Sequence, residues 1–389
     1  MAQHPDGTPM PPMPRLLSLL TLATLAVVAP AAATPVPPPP SLEARAWILM
    51  DAQSGRVITS HDADTPHEPA SITKLMTAYA VFHALRDGKL GLDTAVPISE
   101  RAWRAEGSRS FVDVNSRVPI EVLLQGVIVQ SGNDASIALA EAVAGSEPTF
   151  AALMNEYARR LGMENSHFEN STGLPGERHR ASARDMALLG RAIVSEFPEY
   201  YRWYSQREFT WNNITQRNRN GLLDRDPAVD GMKTGHTSTA GYCLVSSAQR
   251  EGMRLVAVVL GTDSVRARED ASMALLNYGF NFFETRRLQP RGAELAVPRI
   301  LRARGGRAPV GLAGELYATV PRGRAGDVAI DVELEPGLRA PLAASQPVGK
   351  VTATLDGETV AVAPLYPLAD VAEGGFFRRL WDTIVGWFT

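Results

Sequence analysis

A chain of 389 residues, 45% apolar and 21% charged, is long enough for two globular domains and is neither disordered nor fibrous in composition. A formal net charge of −3 offers no basic surface for nucleic acid, and a single cysteine, Cys243, excludes an internal disulfide framework and a multi-cysteine metal centre. Only four of the 39 basic residues are lysine (Lys74, Lys89, Lys233 and Lys350), so a site that keeps lysine needs a compact ammonium with an accessible neutral form.

The first segment reads as a secretory leader over residues 1–33. Arg15 precedes an apolar run, short for a membrane span, that ends at Ala31-Ala32-Ala33, and cleavage is expected after Ala33. Met13 is an alternative start. A proline-rich lead, 34–41, follows. Ala46 to Ser60 reads as a hairpin turning at Gln53-Ser54-Gly55, and Ile72 to Leu85 as a helix. Ile120 to Val129 predicts a buried helix ending in a loop. Phe150 to Leu161 and Ser182 to Ile193 predict amphipathic helices, the second with Ser182 as cap and Asp185 three residues on. Met232 to Thr234, Tyr242 to Ala248 and Leu255 to Leu260 predict adjacent strands.

The fold class expected over 42–285 is therefore α/β: a sheet with helices on its faces, plus a helical cluster. Over 286–368 the texture changes to short alternating runs such as ELYATV, DVAIDVEL, KVTATL and ETVAVAPL, which predict a small antiparallel β domain. It gathers no catalytic residue types and reads as a spacer or binding module. At 374–389 a Gly-Gly break precedes an amphipathic helix. Phe376, Phe377, Leu380, Trp381, Ile384, Val385, Trp387 and Phe388 fall on one half; Arg378, Arg379, Asp382, Thr383 and Gly386 fall on the other. Such a helix lies in a membrane interface, unless it docks on its own domain as a terminal helix.

Three short elements carry chemistry: Ser71-Ile72-Thr73-Lys74, Ser131-Gly132-Asn133 and Lys233-Thr234-Gly235. Each alone is weak. Together, in this order and behind an export signal, they resemble the penicillin-recognising serine enzymes. The stretches PASITKLMT, GVIVQSGNDASIALAE, SARDMALLG, FTWNNITQRNRNGLL and VDGMKTGHTSTAGYCLVSSA resemble, more closely, the D-alanyl-D-alanine carboxypeptidases among the low-molecular-mass penicillin-binding proteins. The resemblance runs from about Leu42 to Thr285, and the β domain and the amphipathic tail continue the same layout.

The resemblance implies a β-lactamase/transpeptidase-like catalytic domain. Serine is a poor nucleophile without a neighbouring base, and Lys74, one helical turn from Ser71, shares its face. Lys74 must lose a proton against a reference pKa near 10.4, and burial plus a second cation, with Lys233 the candidate, would lower it. From the family pattern, Ser131 relays a proton to the leaving amine, and Asn133 holds Lys74 and the substrate amide. The backbone N–H groups of Ser71 and His236 form the oxyanion hole. Lys233, Thr234, Arg268 and Arg219 take the substrate carboxylate, with Arg266 a rival for Arg268. Gly235 lets the substrate backbone lie against the strand edge.

The implied reaction removes the terminal D-alanine from peptidoglycan stem pentapeptides, limiting crosslinking, with β-lactams as covalent inhibitors and no cofactor. The implied location is the periplasmic face of the cytoplasmic membrane, with the C-terminal helix on the membrane surface. His61, His67, His167 and His179 are scattered, form no metal constellation and read as surface polarity. A class A β-lactamase would need an E-x-x-L-N run after the second motif, and Glu164 and Glu169 stand in the wrong context. Transpeptidase or endopeptidase action on the same fold would need the same three motifs. A non-enzymatic envelope-binding protein would not need them intact.

Overall fold

The longest strands between Ala46 and Thr262 are laid into one antiparallel sheet. In the computed structural model, which describes residues 36–375, its strands are β1 (Ala46–Asp51), β2 (Val57–His61), β3 (Val229–Thr237), β4 (Gly241–Arg250) and β5 (Met253–Thr262). They pair antiparallel in the order β2-β1-β5-β4-β3. Successive side chains point to opposite faces, and both faces are covered. On β5, Val256, Val258 and Leu260 join a core with the helical lobe, while Leu255, Ala257 and Val259 join a second core on the other side. The strand pattern is therefore almost wholly apolar rather than alternating. The leader and the amphipathic segment Phe376 to Phe388 lie outside the described residues.

The longer helices cover the sheet and build the lobe: α1 (Lys74–Arg86), α2 (Ile120–Gln125), α3 (Asn133–Ala144), α4 (Glu147–Arg160), α5 (Ala183–Glu196) and α6 (Val265–Phe282). α1 is buried from Lys74 through Leu85, as expected of a helix walled in on every side. α5 has the expected cap, with the Ser182 hydroxyl accepting from Asp185 N at 3.1 Å. α4 starts earlier than its periodicity predicts, because Ser146 caps it and Pro148 suits its first turn.

Two expected helices differ at their functional ends. The Ile72–Leu85 helix is preceded by a 3-10 turn, Ala70–Thr73, entered through Ala70 at φ +48°, and the α-helix begins only at Lys74. The Ile120–Val129 helix stops at Gln125 and widens into a π-turn over Gly126–Gln130. There the Ser131 N–H returns to Gly126 O, and Ser131 takes the left-handed conformation at φ 69°. Single π-turns of this kind commonly mark functional sites.

α6 passes without a linker into the strand Phe283–Gln289, which pairs with Leu316–Pro321. The remaining C-terminal strands form a sheet in the order Glu294–Ala296, Val310–Leu312, Glu358–Pro367, Gly349–Leu355, Ala329–Leu334. Leu316–Pro321 and the last three of these are the alternating runs read from the sequence. Phe283–Gln289, Glu294–Ala296 and Val310–Leu312 were not legible, being short or unpatterned.

The two regions are bonded together. Asp51, buried at the end of β1, accepts from Thr285 Oγ1 at 2.7 Å and from Ser54 Oγ at 2.8 Å. Thr319 Oγ1 lies 2.6 Å from Ser54 Oγ and 2.8 Å from Thr285 Oγ1. No helix among the described residues is long and apolar enough to cross a membrane.

Candidate active site

Residues three apart eclipse one another in a 3-10 turn, so the turn stacks Ser71 against Lys74 more closely than an α-helix would. The Lys74 amine lies 3.1 Å from Ser71 Oγ. It also lies 2.7 Å from Asn133 Oδ1, at the first turn of α3, and 2.5 Å from the Thr172 carbonyl. The Asn133 amide is oriented by its other end, where Nδ2 donates to Glu106 O at 2.6 Å. A neutral amine has two N–H groups and one lone pair. Asn133 Oδ1 and Thr172 O can only accept, so they consume both N–H groups and leave the lone pair for the Ser71 hydroxyl. That is the arrangement of a base poised on its nucleophile.

Electrostatics favour the neutral form. Lys74 is 1% exposed. Burial, with repulsion from Arg219 next, brings its pKa down from lysine's ordinary value to about 7, against the upward pull of Asp134 and Glu147. Arg219 thus acts on Lys74 as a cation beside the expected Lys233, which also repels it. Arg219 is itself exposed, so water screens part of its effect and burial is the larger cause. The Lys74–Lys233 repulsion is mutual: Lys233 is held well below its usual value by burial, then by Lys74, Arg219 and Arg268. Among the described residues its side-chain nitrogen has one hydrogen-bond partner, the Thr234 carbonyl at 3.1 Å, whereas Lys74 is ringed by Ser71, Asn133 and Thr172.

Ser131 is buried at the end of the π-turn, and its Oγ has no hydrogen-bond partner among the described residues. The loop before it is tied to the start of α3. Asn133 N donates to Ser108 O at 2.7 Å, and the buried Asp134 carboxylate accepts from Ser110 N at 2.8 and 3.0 Å.

β3 forms the opposite wall. A Cβ on Gly235 would stand 2.8 Å from Pro69 O and 3.1 Å from Ile72 N, so the backbone of the nucleophile turn fills the space a side chain would need. The glycine expected to admit substrate is required first by the Ser71 turn itself. Through this contact Ser71, Ser131, Thr234, Gly235 and His236 line one cleft of about 420 Å³, with Arg219 and Arg268 also in its wall. Arg268 is buried; its Nη1 donates to Gly235 O at 3.3 Å and its Nε has no partner among the described residues. The rival Arg266 is 90% exposed and pairs with Asp270 at 3.4 Å, and it is Arg268 that stands in the cleft wall. Arg219 donates through Nε to Gln130 O at 3.0 Å. The cleft is thus rich in cations and suits a carboxylate.

Sequence reasoning missed Thr172, whose contribution is a main-chain carbonyl. A signal was available in the run Asn170-Ser171-Thr172-Gly173, a turn composition. Asn170 Oδ1 gathers Thr172 N at 3.1 Å, Thr172 Oγ1 at 3.0 Å and Gly173 N at 2.7 Å. It also missed Tyr242, opposite His236 on β4: its ring stacks on His236 at 4.0 Å, and the Arg268 guanidinium stands 5.7 Å from the same ring. His179, read as surface polarity, is buried at 1% exposure against Thr73.

Comparison with known proteins agrees with this geometry. Residues 32–264 match the family described as D-alanyl-D-alanine carboxypeptidase, and residues 283–373 match the C-terminal domain of penicillin-binding protein 5. The chain belongs to the D-alanyl-D-alanine carboxypeptidase family. The carboxypeptidase DacA of Haemophilus influenzae is 42% identical over 353 residues, covering 89% of this chain and 90% of that one. A solved penicillin-binding protein 5 from the same organism superimposes with a TM-score of 0.81 at 42% identity, over 87% of this carboxypeptidase and 100% of the other chain. Penicillin-binding protein D2 of Listeria monocytogenes, solved in an ampicillin-bound form, matches with a TM-score of 0.58 at 27% identity, over 63% of this chain and 100% of that one. These relatives bear out the expected fold class and the two-part layout.

Proposed function

We propose that this serine carboxypeptidase removes the terminal D-alanine from peptidoglycan stem pentapeptides through an ester on Ser71. The observation that carries this reading is the Lys74 amine, held by two carbonyl oxygens with its third position on Ser71 Oγ. Ser71 Oγ attacks the carbonyl of the penultimate D-alanine as Lys74 takes its proton. The N–H groups of Ser71 and His236 bind the resulting oxyanion. The C–N bond then breaks as Ser131 relays the Lys74 proton to the departing amine, giving its own proton and taking one from the ammonium, so that Lys74 is neutral again. Water, deprotonated by the same base, hydrolyses the ester. Thr234, Lys233, Arg268 and Arg219 hold the terminal carboxylate, whose charge offsets the repulsion among the three cations.

Release of D-alanine from a D-Ala-D-Ala peptide is the direct measurement, and a folded sample that releases none ends the enzymatic reading. The acylation rate is expected to rise about tenfold per pH unit below a pH of about 7 and to level off above it, as Lys74 loses its proton. A flat profile from acid to alkaline pH would remove Lys74 as the base. Penicillins are expected to acylate Ser71 and leave slowly, in line with the ampicillin-bound relative.

Export and peripheral attachment through the C-terminal helix belong to the same proposal, on the strength of the leader and of the aromatic face of Phe376 to Phe388. Deleting Gly374 to Thr389 is expected to move the protein from the membrane fraction to the soluble fraction. Continued sedimentation with membranes would place the anchor elsewhere.

A further inference from the structure

The loop that offers its Thr172 carbonyl to Lys74 is pressed directly against the nucleophile turn. Gly173, at φ +86°, has no room for a side chain: a Cβ would stand 1.9 Å from Ala70 O and 2.9 Å from Thr73 Oγ1. Glu147, buried on α4, fixes one end of this loop by accepting from Ser171 N at 3.0 Å and Ser171 Oγ at 2.7 Å. His179 fixes the other end. Its Nδ1 lies 3.0 Å from Glu169 N, and a backbone amide can only donate, so Nδ1 carries no proton. The proton is therefore on Nε2, which donates to Thr73 Oγ1 at 2.8 Å. One imidazole thus joins the loop to the residue between Ser71 and Lys74 in the turn.

We infer that His179 is a positioning residue for the Lys74 base: it clamps the 169–174 loop onto the nucleophile turn, and so holds the Thr172 carbonyl on the amine. The inference deepens the carboxypeptidase reading and rests on Lys74 being the base. The groups around the ring leave its tautomer undisturbed. Burial is the main influence and brings the imidazole pKa down to about 4; His167 and Arg180 act in the same direction, while Glu169 and Glu68 oppose it. Phe168 closes the site edge-on at 5.8 Å. The ring therefore stays neutral, with both bonds intact, over the whole range in which Lys74 titrates.

The test is the pH profile of penicillin acylation in the full chain. His179→Asn keeps an acceptor near Nδ1 but cannot reach Thr73, and Thr73→Val removes the other end of the same bond. Each is expected to lower the plateau rate about tenfold by misplacing the base. Each is also expected to move the acid limb about half a unit or more to lower pH, because an ammonium that loses a carbonyl acceptor is easier to deprotonate. The half-saturating penicillin concentration should not change. Thr73→Ser, which keeps the hydroxyl, should restore both limb and plateau. A variant that lowers the melting temperature but keeps the wild-type limb and plateau overturns the clamp and leaves His179 a packing residue. If one variant fails to fold, the other decides alone. A wild-type protein without any acid limb refutes Lys74 as the base, a separate outcome from an unmoved limb in the variants.

Discussion

Replacing Lys74 by arginine is expected to abolish acylation of Ser71, with a loss of at least about 10⁴-fold, the scale on which loss of an essential catalytic group is felt. Two physical reasons act together. Arginine cannot be deprotonated in a protein, so no lone pair is available for the serine proton. The amine also sits in a closed socket, with partners at 2.5, 2.7 and 3.1 Å, and a planar guanidinium cannot present one nitrogen to all three. The rest of α1 is untouched, so the variant should fold, and circular dichroism with penicillin labelling reads both halves of the expectation. Labelling at even a tenth of the wild-type rate would refute the neutral-base account.

The second large effect is expected at a residue with no side chain. Gly235→Ala places a methyl carbon 2.8 Å from Pro69 O and 3.1 Å from Ile72 N. Both neighbours are backbone atoms, which cannot swing aside as the end of a flexible side chain can. β3 and the nucleophile turn must part, and the proposed oxyanion donors stand on the two sides of that contact. Loss of one such donor costs about 10²- to 10³-fold in rate, and acylation is expected to fall by that much. Wild-type acylation in Gly235→Ala would mean that this contact does not set the distance between the donors.

The parts of this architecture that were legible in the sequence are local ones. Ser182 and Asp185 announce the start of α5 because a cap and its partner are three residues apart. Met232 to Thr234, Tyr242 to Ala248 and Leu255 to Leu260 announce strands because apolar runs bounded by turns have few other solutions. Ser71 and Lys74 were legible as a pair, though the reason differs from the expected one: the eclipsing belongs to a 3-10 turn, and the strained Ala70 that produces it carries no composition signal. What stayed hidden depends on tertiary placement. The Thr172 carbonyl is a main-chain atom, the same in every residue type. Arg219 is remote in sequence from Lys74, and only the fold makes it an electrostatic neighbour. The π-turn at Gly126–Gln130 shares its apolar pattern with an ordinary helix. His179 lies between charged neighbours, Glu177, Arg178 and Arg180, which disguise a buried imidazole as surface.

The junction at Asp51 bears on the reach of the enzyme. Phe282 ends α6 and Phe283 begins the next strand, so no spare residue exists there to act as a swivel. Asp51, Ser54, Thr285 and Thr319 bolt the β1–β2 hairpin to that strand and its partner through polar contacts of 2.6 to 2.8 Å. That strand pair is thus fastened to the catalytic sheet rather than tethered to it. Leaning the cleft relative to those strands would mean breaking that polar cluster. A peptide beyond the reach of the cleft would have to come to it by its own slack or wait on motion of the body as a whole.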